Sequence, residues 1–576
     1  MEKYNLEYQR WLASDALTDA EKAELVAIAQ DEETKELRFG APMDFGTAGL
    51  RSTMFMGIGC MNRFTVAQTT RGIAELVIKE GGQSRGVAIA YDSRNNSREF
   101  ATVSARVLAG KGIKVFIFDD LRPTPELSFA VRQTGALAGI NITASHNPKE
   151  YNGYKAYWED GAQLAPEQAS IVARAMVGYD PLDTTGLADF DTAVAEGLIT
   201  ILDERFDDIY LEKVLATAIN PNAVPEVAEE LKVVYTPLHG AGRRLVPEVF
   251  RRVGLKHLYL VESQMMADGN FPTVKKPNPE YADVFCDGIA IADEVGSDIV
   301  IATDPDSDRV GVMTRSADGS FVTITGNQMG ALLLDYAIKC RRSLGKLPED
   351  AYCVKSIVST DMAYKIAKDN GVKLYDVLTG FKYIGEVIKN YEAVNKAEGF
   401  LLGFEESYGY LLGTYARDKD AVEASMLILE MTAYYKKLGM TLSDALYQLY
   451  KVYGYFGEKV IDIYMEGLDG IEKRRRIMER LRSQVPTVLG GVSVVREGDF
   501  KRGSFVELAT GEAQPTDQPS SDVLYYVLAN DDKIIVRPSG TEPKIKIYIL
   551  AHDDSPEALA QKCEAYATDA RKITEV

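Results

Sequence analysis

The segment 142–155, ITASHNPKEYNGYK, carries a hydroxyl and an imidazole side by side at Ser145 and His146, and an amine at Lys155. A serine presented on a loop can act as a nucleophile or carry a transferred group. We expect the adjacent histidine not to be its general base, because successive side chains of an extended loop point apart and a base must reach hydrogen-bond distance. The G-x-S-x-G elbow of hydrolases is also absent. The simpler alternative is a turn, since Ser-His-Asn-Pro and Asn-Gly are good turn formers.

Three carboxylates alternate in the segment DPDSDR, at Asp304, Asp306 and Asp308, directly after the apolar run DIVIAT. Alternate side chains of a looped backbone can converge on one cation, and carboxylate oxygens suit a hard ion such as magnesium. A calcium EF-hand is excluded, because its turn glycine would be Arg309 and its bidentate glutamate would be Arg315. The segment therefore predicts a magnesium-type loop, with a solvated acidic loop as the alternative.

A carboxylate and a hydroxyl stand two residues apart in GFEESYGY, at Glu405 and Ser407. If this loop is extended, both side chains share a face and can bind neighbouring hydroxyls of a sugar. A helix N-cap region, with glutamates near the helix dipole, explains the segment equally well when it is taken alone.

The segment RPSGTEPK, residues 537–544, stands between the apolar runs KIIV and IKIYIL. The guanidinium of Arg537 is a planar bidentate donor, and the residues after it offer successive backbone N–H groups and two hydroxyls, a combination that suits a phosphate. An ordinary hairpin turn is the alternative. The groups after the arginine belong to Ser539, Gly540 and Thr541.

These loops follow a recurring alternation of strands and helices. In residues 86–142, three apolar strands alternate with two helices, and this β-α-β-α-β order predicts a parallel sheet with helices packed against it. Ligands of such sheets gather at the carboxyl ends of the strands, where the loop of Ser145 begins. The alternation restarts near residues 231 and 323.

After about residue 454, alternating strands with two helices are typical of an α+β domain. The KRRR run at 473–476 lies among alternating glutamates and arginines, which predicts an exposed helix face and not a nucleic-acid patch. We therefore predict four domains: 1–205 with the serine loop, 206–322 with the aspartate loop, 323–453 with GFEES and 454–576 with RPSGTEPK.

Composition limits the partners. The chain has 576 residues, a net charge of -20 and 46% hydrophobic residues, which is typical of a soluble globular protein of several domains. An acidic surface repels nucleic acids and anionic membranes, so neither is an expected partner. The N-terminus lacks a signal-peptide pattern, no apolar run is long enough to span a bilayer, and five scattered cysteines favour a reduced, cytoplasmic location.

The four segments together resemble the loops of the α-D-phosphohexomutases, the phosphoglucomutase/phosphomannomutase group. TASHNP resembles the phosphoserine loop of that family, DPDSDR its magnesium loop, GFEES its sugar-binding loop and RPSGTEPK its phosphate-binding loop. They occur in the family order along the whole chain, which makes the resemblance specific. The resemblance implies an α/β fold of four domains around a central cleft: three related α/β domains with mixed sheets and a smaller C-terminal α+β domain.

The resemblance also implies roles for individual residues. The metal ligands would be Ser145, phosphorylated in the active enzyme, with Asp304, Asp306 and Asp308. The cations near the transferred phosphoryl group would be Arg51, Lys155 and Arg309. The residues that contact the sugar would be Thr379, Gly380, Glu405 and Ser407. Those that hold the non-reacting phosphate would be Arg537, Ser539, Gly540 and Thr541.

One position departs from the family pattern. Some bacterial relatives have a histidine shortly after the sugar loop, where this chain has Tyr410. In the glucose-type mutases a lysine further along takes over, and Lys419 in RDKDA stands at the corresponding place. The general base therefore stays open between Lys155, Lys419 and water.

The activity that the resemblance implies is the interconversion of glucose 1-phosphate and glucose 6-phosphate through phosphoserine and glucose 1,6-bisphosphate. It implies one Mg²⁺ per chain, glucose 1,6-bisphosphate as activator, and small-molecule sugar phosphates as partners of a monomer or weak homodimer. Mannose and pentose phosphates are alternative substrates. Outside this family, the residues leave open a serine hydrolase, which needs a histidine base, and a non-catalytic sensor of calcium or sugar phosphates.

Overall fold

The structure of the protein, a computed structural model, describes residues 2–47, 49–465, 470–539 and 544–575. The chain divides into two compact units. The first unit comprises Met1–Ile324, Gly385–Phe400 and Tyr408–Thr441, and the second comprises Thr325–Ile384, Leu401–Ser407 and Leu442–Val576. Among the described helices, none is long and apolar enough to cross a membrane.

The first unit contains most of the helices. They are α1 (Lys3–Leu12), α2 (Asp19–Ala27), α3 (Glu32–Phe39), α4 (Arg63–Lys79), α5 (Ser97–Gly110), α6 (Thr124–Thr134), α7 (Pro166–Val177), α8 (Phe190–Ala195), α9 (Glu204–Leu215), α10 (Ala223–Glu226), α11 (Gly242–Arg252), α12 (Glu262–Met265), α13 (Cys286–Val295) and, further along the chain, α17 (Ala421–Lys437). Its strands are β1 (Leu50–Thr53), β2 (Val87–Tyr91), β3 (Val115–Phe118), β4 (Ala138–Ile142), β5 (Tyr151–Trp158), β6 (Ile199–Leu202), β7 (Lys232–Thr236), β8 (His257–Leu260), β9 (Ile299–Thr303), β10 (Val310–Arg315), β11 (Phe321–Ile324) and β15 (Gly409–Leu411).

The second unit has more strands than helices among its described residues. Its helices are α14 (Gly326–Ser343), α15 (Met362–Asp369), the first residues of α16 (Phe381–Ala393), α18 (Leu442–Tyr453), α19 (Gly470–Ser483) and α20 (Pro556–Thr574). Its strands are β12 (Tyr352–Ser356), β13 (Lys373–Val377), β14 (Phe400–Glu405), β16 (Tyr455–Tyr464), β17 (Val488–Leu489), β18 (Val492–Asp499), β19 (Ser504–Glu507), β20 (Ala513–Pro515), β21 (Leu524–Leu528), β22 (Lys533–Pro538) and β23 (Lys544–Asp553).

The first sheet has the strand order β1-β5-β4-β2-β3-β6. β4, β2, β3 and β6 run parallel, while β5 and β1 are antiparallel, so the sheet is mixed. β2, β3 and β4 are apolar and buried along their whole length, because helices such as α5 and α6 pack against them. The β-α-β-α-β order predicted for residues 86–142 is confirmed, and the serine loop follows the carboxyl end of β4.

The second sheet, β11-β10-β9-β7-β8, positions the aspartate loop. β9 runs parallel to β7 at the centre of this sheet and is buried throughout. β9 pairs antiparallel with β10, and Thr303 lies opposite Val310. Residues 304–309 therefore form a tight connection that leaves the carboxyl end of a parallel strand.

The second unit contains the other two predicted groups of strands. β12 and β13 are parallel, as expected for the third α/β domain. The C-terminal sheet has the order β16-β23-β22-β21-β18-β19-β20 and is antiparallel, with α19 and α20 on one face over a core that includes Leu524 and Ile547. Its other face packs Tyr525 and Ile535 against Ile357 and Leu378. The predicted α+β character after residue 454 is confirmed.

Candidate active site

The loop after β4 holds Ser145 in an unusual conformation. Its φ is +53°, in the left-handed region that non-glycine residues adopt rarely and that is enriched at functional sites. Two local hydrogen bonds fix the turn: the Ser145 N–H donates to Thr143 Oγ1 at 2.8 Å, and the Asn147 N–H donates to the Ala144 carbonyl at 3.1 Å. The Ser145 side chain is almost fully buried, with 3% of the residue exposed.

The position of the His146 side chain differs from the one expected from the sequence. We expected the two adjacent side chains to point apart, but Ser145 Oγ lies 3.1 Å from His146 Nδ1. The expectation was wrong because it assumed an extended loop, whereas the left-handed turn at Ser145 brings the neighbours together. Burial, together with the cationic Arg309 and Arg51, lowers the pKa of His146 well below its usual range, so its imidazole is neutral.

Arg94 fixes the serine loop, and the sequence analysis missed it. Its guanidinium is buried, lies 3.3 Å from the Asp92 carboxylate, and donates hydrogen bonds of 2.5–3.0 Å to four backbone carbonyls of the loop. Those carbonyls belong to Ser145, Asn147, Pro148 and Tyr151. The segment DSR directly after β2 was the available signal, because it leaves the same edge of the sheet as the serine loop.

The aspartate loop faces the serine. Asp304 Oδ2 accepts a hydrogen bond of 2.9 Å from Ser145 Oγ, and Asp304 Oδ1 accepts from the N–H groups of Asp308 and Arg309 at 3.1 and 3.0 Å. Asp304, Asp306 and Asp308 are all buried, and one oxygen from each lies within 4.8 Å of the others. The predicted carrier hydroxyl and the predicted metal loop are therefore direct neighbours in the first unit.

The three carboxylates fit a hard divalent cation. Asp306 Oδ1 and Asp308 Oδ1 are buried and have no hydrogen-bond partner in the part of the chain that the structure describes. Burial and the two neighbouring carboxylates raise the pKa of Asp304 well above its usual range. A cation between these oxygens would relieve that repulsion, and oxygen-only ligands suit Mg²⁺.

Two lysines form ion pairs with the Oδ2 atoms of Asp306 and Asp308. Lys155 Nζ lies 2.7 Å from Asp306 Oδ2 and 3.4 Å from Asp308 Oδ2, and Lys419 Nζ lies 3.3 Å from Asp308 Oδ2. Burial alone would lower the pKa of Lys155, but Asp306 and Asp308 outweigh it and hold that pKa above its usual value. Lys419 is also tied to Asp418 at 2.9 Å.

Two arginines complete the set in the first unit. Arg51 lies in β1, which pairs with β5, and its Nη1 donates to Asn147 Oδ1 in the serine loop at 2.9 Å. Arg309 ends the aspartate loop, and its Nη1 donates to Glu280 Oε1 at 2.6 Å. The first unit thus brings together the predicted residues Ser145, Arg51, Lys155, Asp304, Asp306, Asp308, Arg309 and Lys419.

The predicted sugar residues lie in the second unit. Gly380, with φ of +119°, donates its N–H to Glu405 Oε1 at 2.7 Å, so the loop of Thr379 and Gly380 meets the carboxylate that ends β14. Ser407 lies in the turn that follows, and neither an extended loop nor a helix N-terminus is present there. The structure therefore has a turn in place of the extended loop and the helix N-terminus that were considered for GFEES, and sugar binding by Glu405 and Ser407 stays a prediction.

Part of the predicted phosphate loop also lies in the second unit. Arg537 is near the end of β22, β22 and β23 are antiparallel, and the Ser539 N–H donates to the Lys544 carbonyl at 2.9 Å. Arg474 of α19 donates to the Ser539 carbonyl at 2.6 Å, so one arginine of the KRRR run faces this loop, whereas Arg475 is exposed as expected. The remaining two predicted residues, Gly540 and Thr541, lie outside the described residues.

The second unit also has a cavity of about 1030 Å³, lined by residues that include Asp361, Lys365, Phe456 and Lys533. None of the predicted site residues that the structure describes lines this cavity. The candidate site is therefore identified by its buried charged groups and not by the volume of a cavity.

Four family models match the chain in order. They describe the phosphoglucomutase/phosphomannomutase α/β/α domains I, II and III and the C-terminal domain, and they match residues 42–181, 208–319, 325–453 and 514–567. Fold and site together define the class, an α/β phosphohexomutase of four domains and an isomerase-class enzyme.

Relatives identify the family. The chain is 36% identical over 549 residues to a phosphoglucomutase of Staphylococcus haemolyticus (strain JCSC1435), which covers 94% of this chain and 97% of the relative. Two solved structures share the fold. Parafusin, a phosphoglucomutase from Paramecium in an open form, matches with a TM-score of 0.66 and 18% identity, over 93% of this chain and 95% of parafusin. N-acetylphosphoglucosamine mutase of Aspergillus fumigatus matches with a TM-score of 0.51 and 12% identity, over 97% of this chain and 100% of that mutase. The chain belongs to the phosphoglucomutase/phosphomannomutase family.

Proposed function

We propose that the protein interconverts glucose 1-phosphate and glucose 6-phosphate, with Ser145 as the phosphoryl carrier. The observation that carries this proposal is the hydrogen bond of 2.9 Å between the buried Ser145 Oγ and Asp304, beside two buried carboxylate oxygens that have no hydrogen-bond partner among the described residues. The name of the relatives that are 36% identical supports glucose as the sugar. Phosphomannomutase or phosphopentomutase activity on the same scaffold is the alternative.

The reaction consists of two transfers. In the first, the O–P bond of phosphoserine 145 breaks while the free hydroxyl of the hexose monophosphate forms a new O–P bond. That hydroxyl gives its proton to a base, and the released Ser145 oxygen takes up a proton to become a hydroxyl again. The product is glucose 1,6-bisphosphate, which returns its other phosphoryl group to Ser145 in the reverse of the same step. Such transfers need in-line geometry and compensated charge more than covalent assistance.

The first unit supplies that charge compensation. We assign one Mg²⁺ to Asp304, Asp306, Asp308 and an oxygen of phosphoserine 145, where it would neutralise charge on the transferred group. Arg51, Lys155 and Arg309 add positive charge around the same serine. The proton acceptor stays a choice between Lys155, Lys419 and water, since both lysines lie against Asp308.

The second unit supplies recognition. We assign the sugar hydroxyls to Glu405, Ser407, Thr379 and Gly380, and the non-reacting phosphate to Arg537, Ser539, Gly540 and Thr541. The related mutase of Aspergillus fumigatus was crystallised with N-acetylglucosamine 6-phosphate and magnesium, which supports a sugar phosphate and this metal as ligands. Glucose 1,6-bisphosphate would prime an enzyme that has lost its phosphoryl group.

We also propose the domain boundaries 1–205, 206–322, 323–453 and 454–576, with one of the four loops in each domain. We further propose a cytoplasmic location, in keeping with five cysteines that are all free.

The test is a magnesium-dependent assay of glucose 1-phosphate to glucose 6-phosphate conversion, with and without added glucose 1,6-bisphosphate. We expect Ser145→Ala to show no measurable turnover, because no other group replaces the carrier. Ser170→Ala, at an exposed position in α7, is the matched control and should retain wild-type activity. Intact-mass measurement should find one phosphoryl group on the wild type and none on Ser145→Ala.

Full activity in Ser145→Ala would contradict the carrier role. Parallel assays with mannose 1-phosphate and ribose 1-phosphate decide between the substrates, and a higher kcat/KM for either would replace glucose. Labelling of Ser145 by a fluorophosphonate without mutase activity would favour a serine hydrolase instead.

A further inference from the structure

The two carboxylate oxygens of Asp306 have different surroundings. Oδ2 accepts two short hydrogen bonds, one of 2.6 Å from Thr124 Oγ1 and one of 2.7 Å from Lys155 Nζ. Oδ1 is buried and has no hydrogen-bond partner among the described residues. The Asp306 carboxylate is thus held through Oδ2, and Oδ1 can donate an electron pair to a cation.

Thr124 is fixed from two sides. It is fully buried at the first residue of α6, and its N–H donates to the Asp306 carbonyl at 2.8 Å. Asn141 Nδ2, from β4, donates to Thr124 Oγ1 at 2.7 Å. Because Thr124 Oγ1 accepts from Asn141, the hydroxyl proton of Thr124 is directed at Asp306. Helix α6, which packs on the first sheet, therefore binds the aspartate loop that leaves the second sheet.

The hydroxyl of Thr124 is not needed for the helix itself. Side chains of threonine at helix starts usually cap free backbone N–H groups, but α6 has Pro123 at its N-cap and no side-chain cap hydrogen bond. The hydroxyl is therefore used for Asp306. The Thr124 hydroxyl therefore contacts Asp306, a predicted metal ligand, and does not cap the start of α6.

We propose that Thr124 is a positioning residue for the divalent cation: by binding Asp306 Oδ2, it directs Oδ1 toward the metal and sets the position of the loop. This inference rests on the proposed function, because it takes the aspartate cluster as the metal site. Lys155 binds the same oxygen, but we assign its charge to the transferred phosphoryl group. Thr124 is the contact to Asp306 that does not take part in that transfer.

The experiment uses metal binding as its readout. Mn²⁺ replaces Mg²⁺ as the probe, and the free ion is titrated by electron paramagnetic resonance on the full-length protein without substrate. Outer contacts of this kind change metal affinity by about 10- to 100-fold. Thr124→Val, which keeps the shape and removes the hydroxyl, should weaken Mn²⁺ binding by that factor, whereas Thr124→Ser should bind Mn²⁺ like the wild type. Thr134→Val, at the other end of α6, is the matched control and should leave Mn²⁺ binding unchanged.

The Mg²⁺ dependence of the activity is a second measurement, and a purely structural role of Thr124 would not change it. In Thr124→Val the Mg²⁺ concentration for half-maximal activity should rise by the same factor, while kcat at saturating Mg²⁺ should return to near the wild-type value. If Thr124→Val does not fold, the comparison of Thr124→Ser with Thr124→Ala replaces it, and the hydroxyl must again account for the difference in Mn²⁺ affinity.

The outcomes separate the two proposals. Wild-type Mn²⁺ affinity in a folded variant without the hydroxyl would overturn the role of Thr124, and so would the absence of Mn²⁺ binding in the wild type. A wild type that binds Mn²⁺ tightly but converts none of the sugar phosphates would overturn the proposed function, while the effect of Thr124→Val on Mn²⁺ affinity would still support the positioning role.

Discussion

The side chains proposed to transfer the phosphoryl group and those proposed to recognise the sugar differ in how they are held. In the first unit, Ser145 and the three aspartates are buried, and the side chain of each has a hydrogen bond to another element of that unit. In the second unit, Ser407, Arg537 and Ser539 are partly exposed on a turn and at a strand end. The transfer groups named here are preorganised. Among the recognition groups, Ser407, Arg537 and Ser539 remain accessible to solvent, whereas Glu405 is buried and held by the Gly380 N–H.

This difference follows from the chemistry of each step. Charges that stabilise a transferred phosphoryl group act most strongly in a buried, prearranged site, although burying them is costly unless they are paired. Lys155 and Lys419 offset part of that cost at Asp306 and Asp308. Recognition groups must instead accept a sugar in two orientations, which favours side chains that are hydrated before binding.

Apart from removal of Ser145 itself, the largest effect is expected from loosening the serine loop. In Arg94→Lys, a single ammonium cannot reach the four carbonyls that the guanidinium binds, so Ser145 loses its fixed position. Because displacement by about 1 Å can cost about 100-fold in rate, kcat should fall by about that factor with little change in KM. Steady-state kinetics of glucose 1-phosphate conversion measure it.

Arg85→Lys is the control for Arg94→Lys, since Arg85 is an exposed arginine that also donates to a backbone carbonyl. A thermal melt of both variants shows whether the fold is intact. An unchanged kcat in a folded Arg94→Lys would mean that the transfer site does not depend on a rigid loop, and the contrast with the second unit would lose its basis.

A smaller effect of a different kind is expected at Glu405. Glu405→Gln removes the negative charge but keeps an oxygen that can accept from the Gly380 N–H. The loss of one charge-assisted hydrogen bond to a sugar hydroxyl costs about 10-fold, and it should be seen mainly as a higher KM. Glu406→Gln is the adjacent control. The Glu406 carboxylate accepts a hydrogen bond from Ser356 Oγ, and its replacement should change KM less. A loss of kcat alone in Glu405→Gln would place this residue among the transfer groups.

The sequence predicted what depends on local pattern. The alternation of apolar strands with helices in residues 86–142 was sufficient for the parallel sheet, and the position of loops after strands was sufficient to expect Ser145 and Asp304 at carboxyl ends. Both are consequences of side-chain periodicity and chain direction, which neighbouring residues determine.

What the sequence could not predict depends on pairs that are far apart in the chain. Thr124 and Asp306 are 182 positions apart, and Arg474 reaches Ser539 across 65. Arg94 binds four backbone carbonyls, and the segment DSR after β2 indicates only the edge of the sheet at which Arg94 lies and not these partners. The position of His146 was predicted wrongly because one left-handed residue reverses the direction of its neighbour, and a non-glycine residue gives no indication of that conformation.

The smallest effect concerns the stability of the second unit and its dependence on pH. Glu458 lies in β16, where burial raises its pKa to about 7 in spite of hydrogen bonds from Thr360 and Asn327. Its unfolded pKa is about 4.5, so between these values the folded protein binds more protons than the unfolded chain, and stability falls as the pH rises. Glu458→Gln cannot ionise and should remove that fall.

At pH 5, Glu458→Gln should melt close to the wild type, whereas at pH 8 it should melt about 2–4 °C higher. Calorimetry at both pH values measures the difference, with Glu512→Gln, at the exposed position directly before β20, as the control. Tryptophan fluorescence adds the comparison between the units, because Trp11 and Trp158 both lie in the first unit. An equal shift at pH 5 and pH 8 would show that Glu458 acts through packing and not through its charge, and a shift confined to the fluorescence transition would place the effect in the wrong unit.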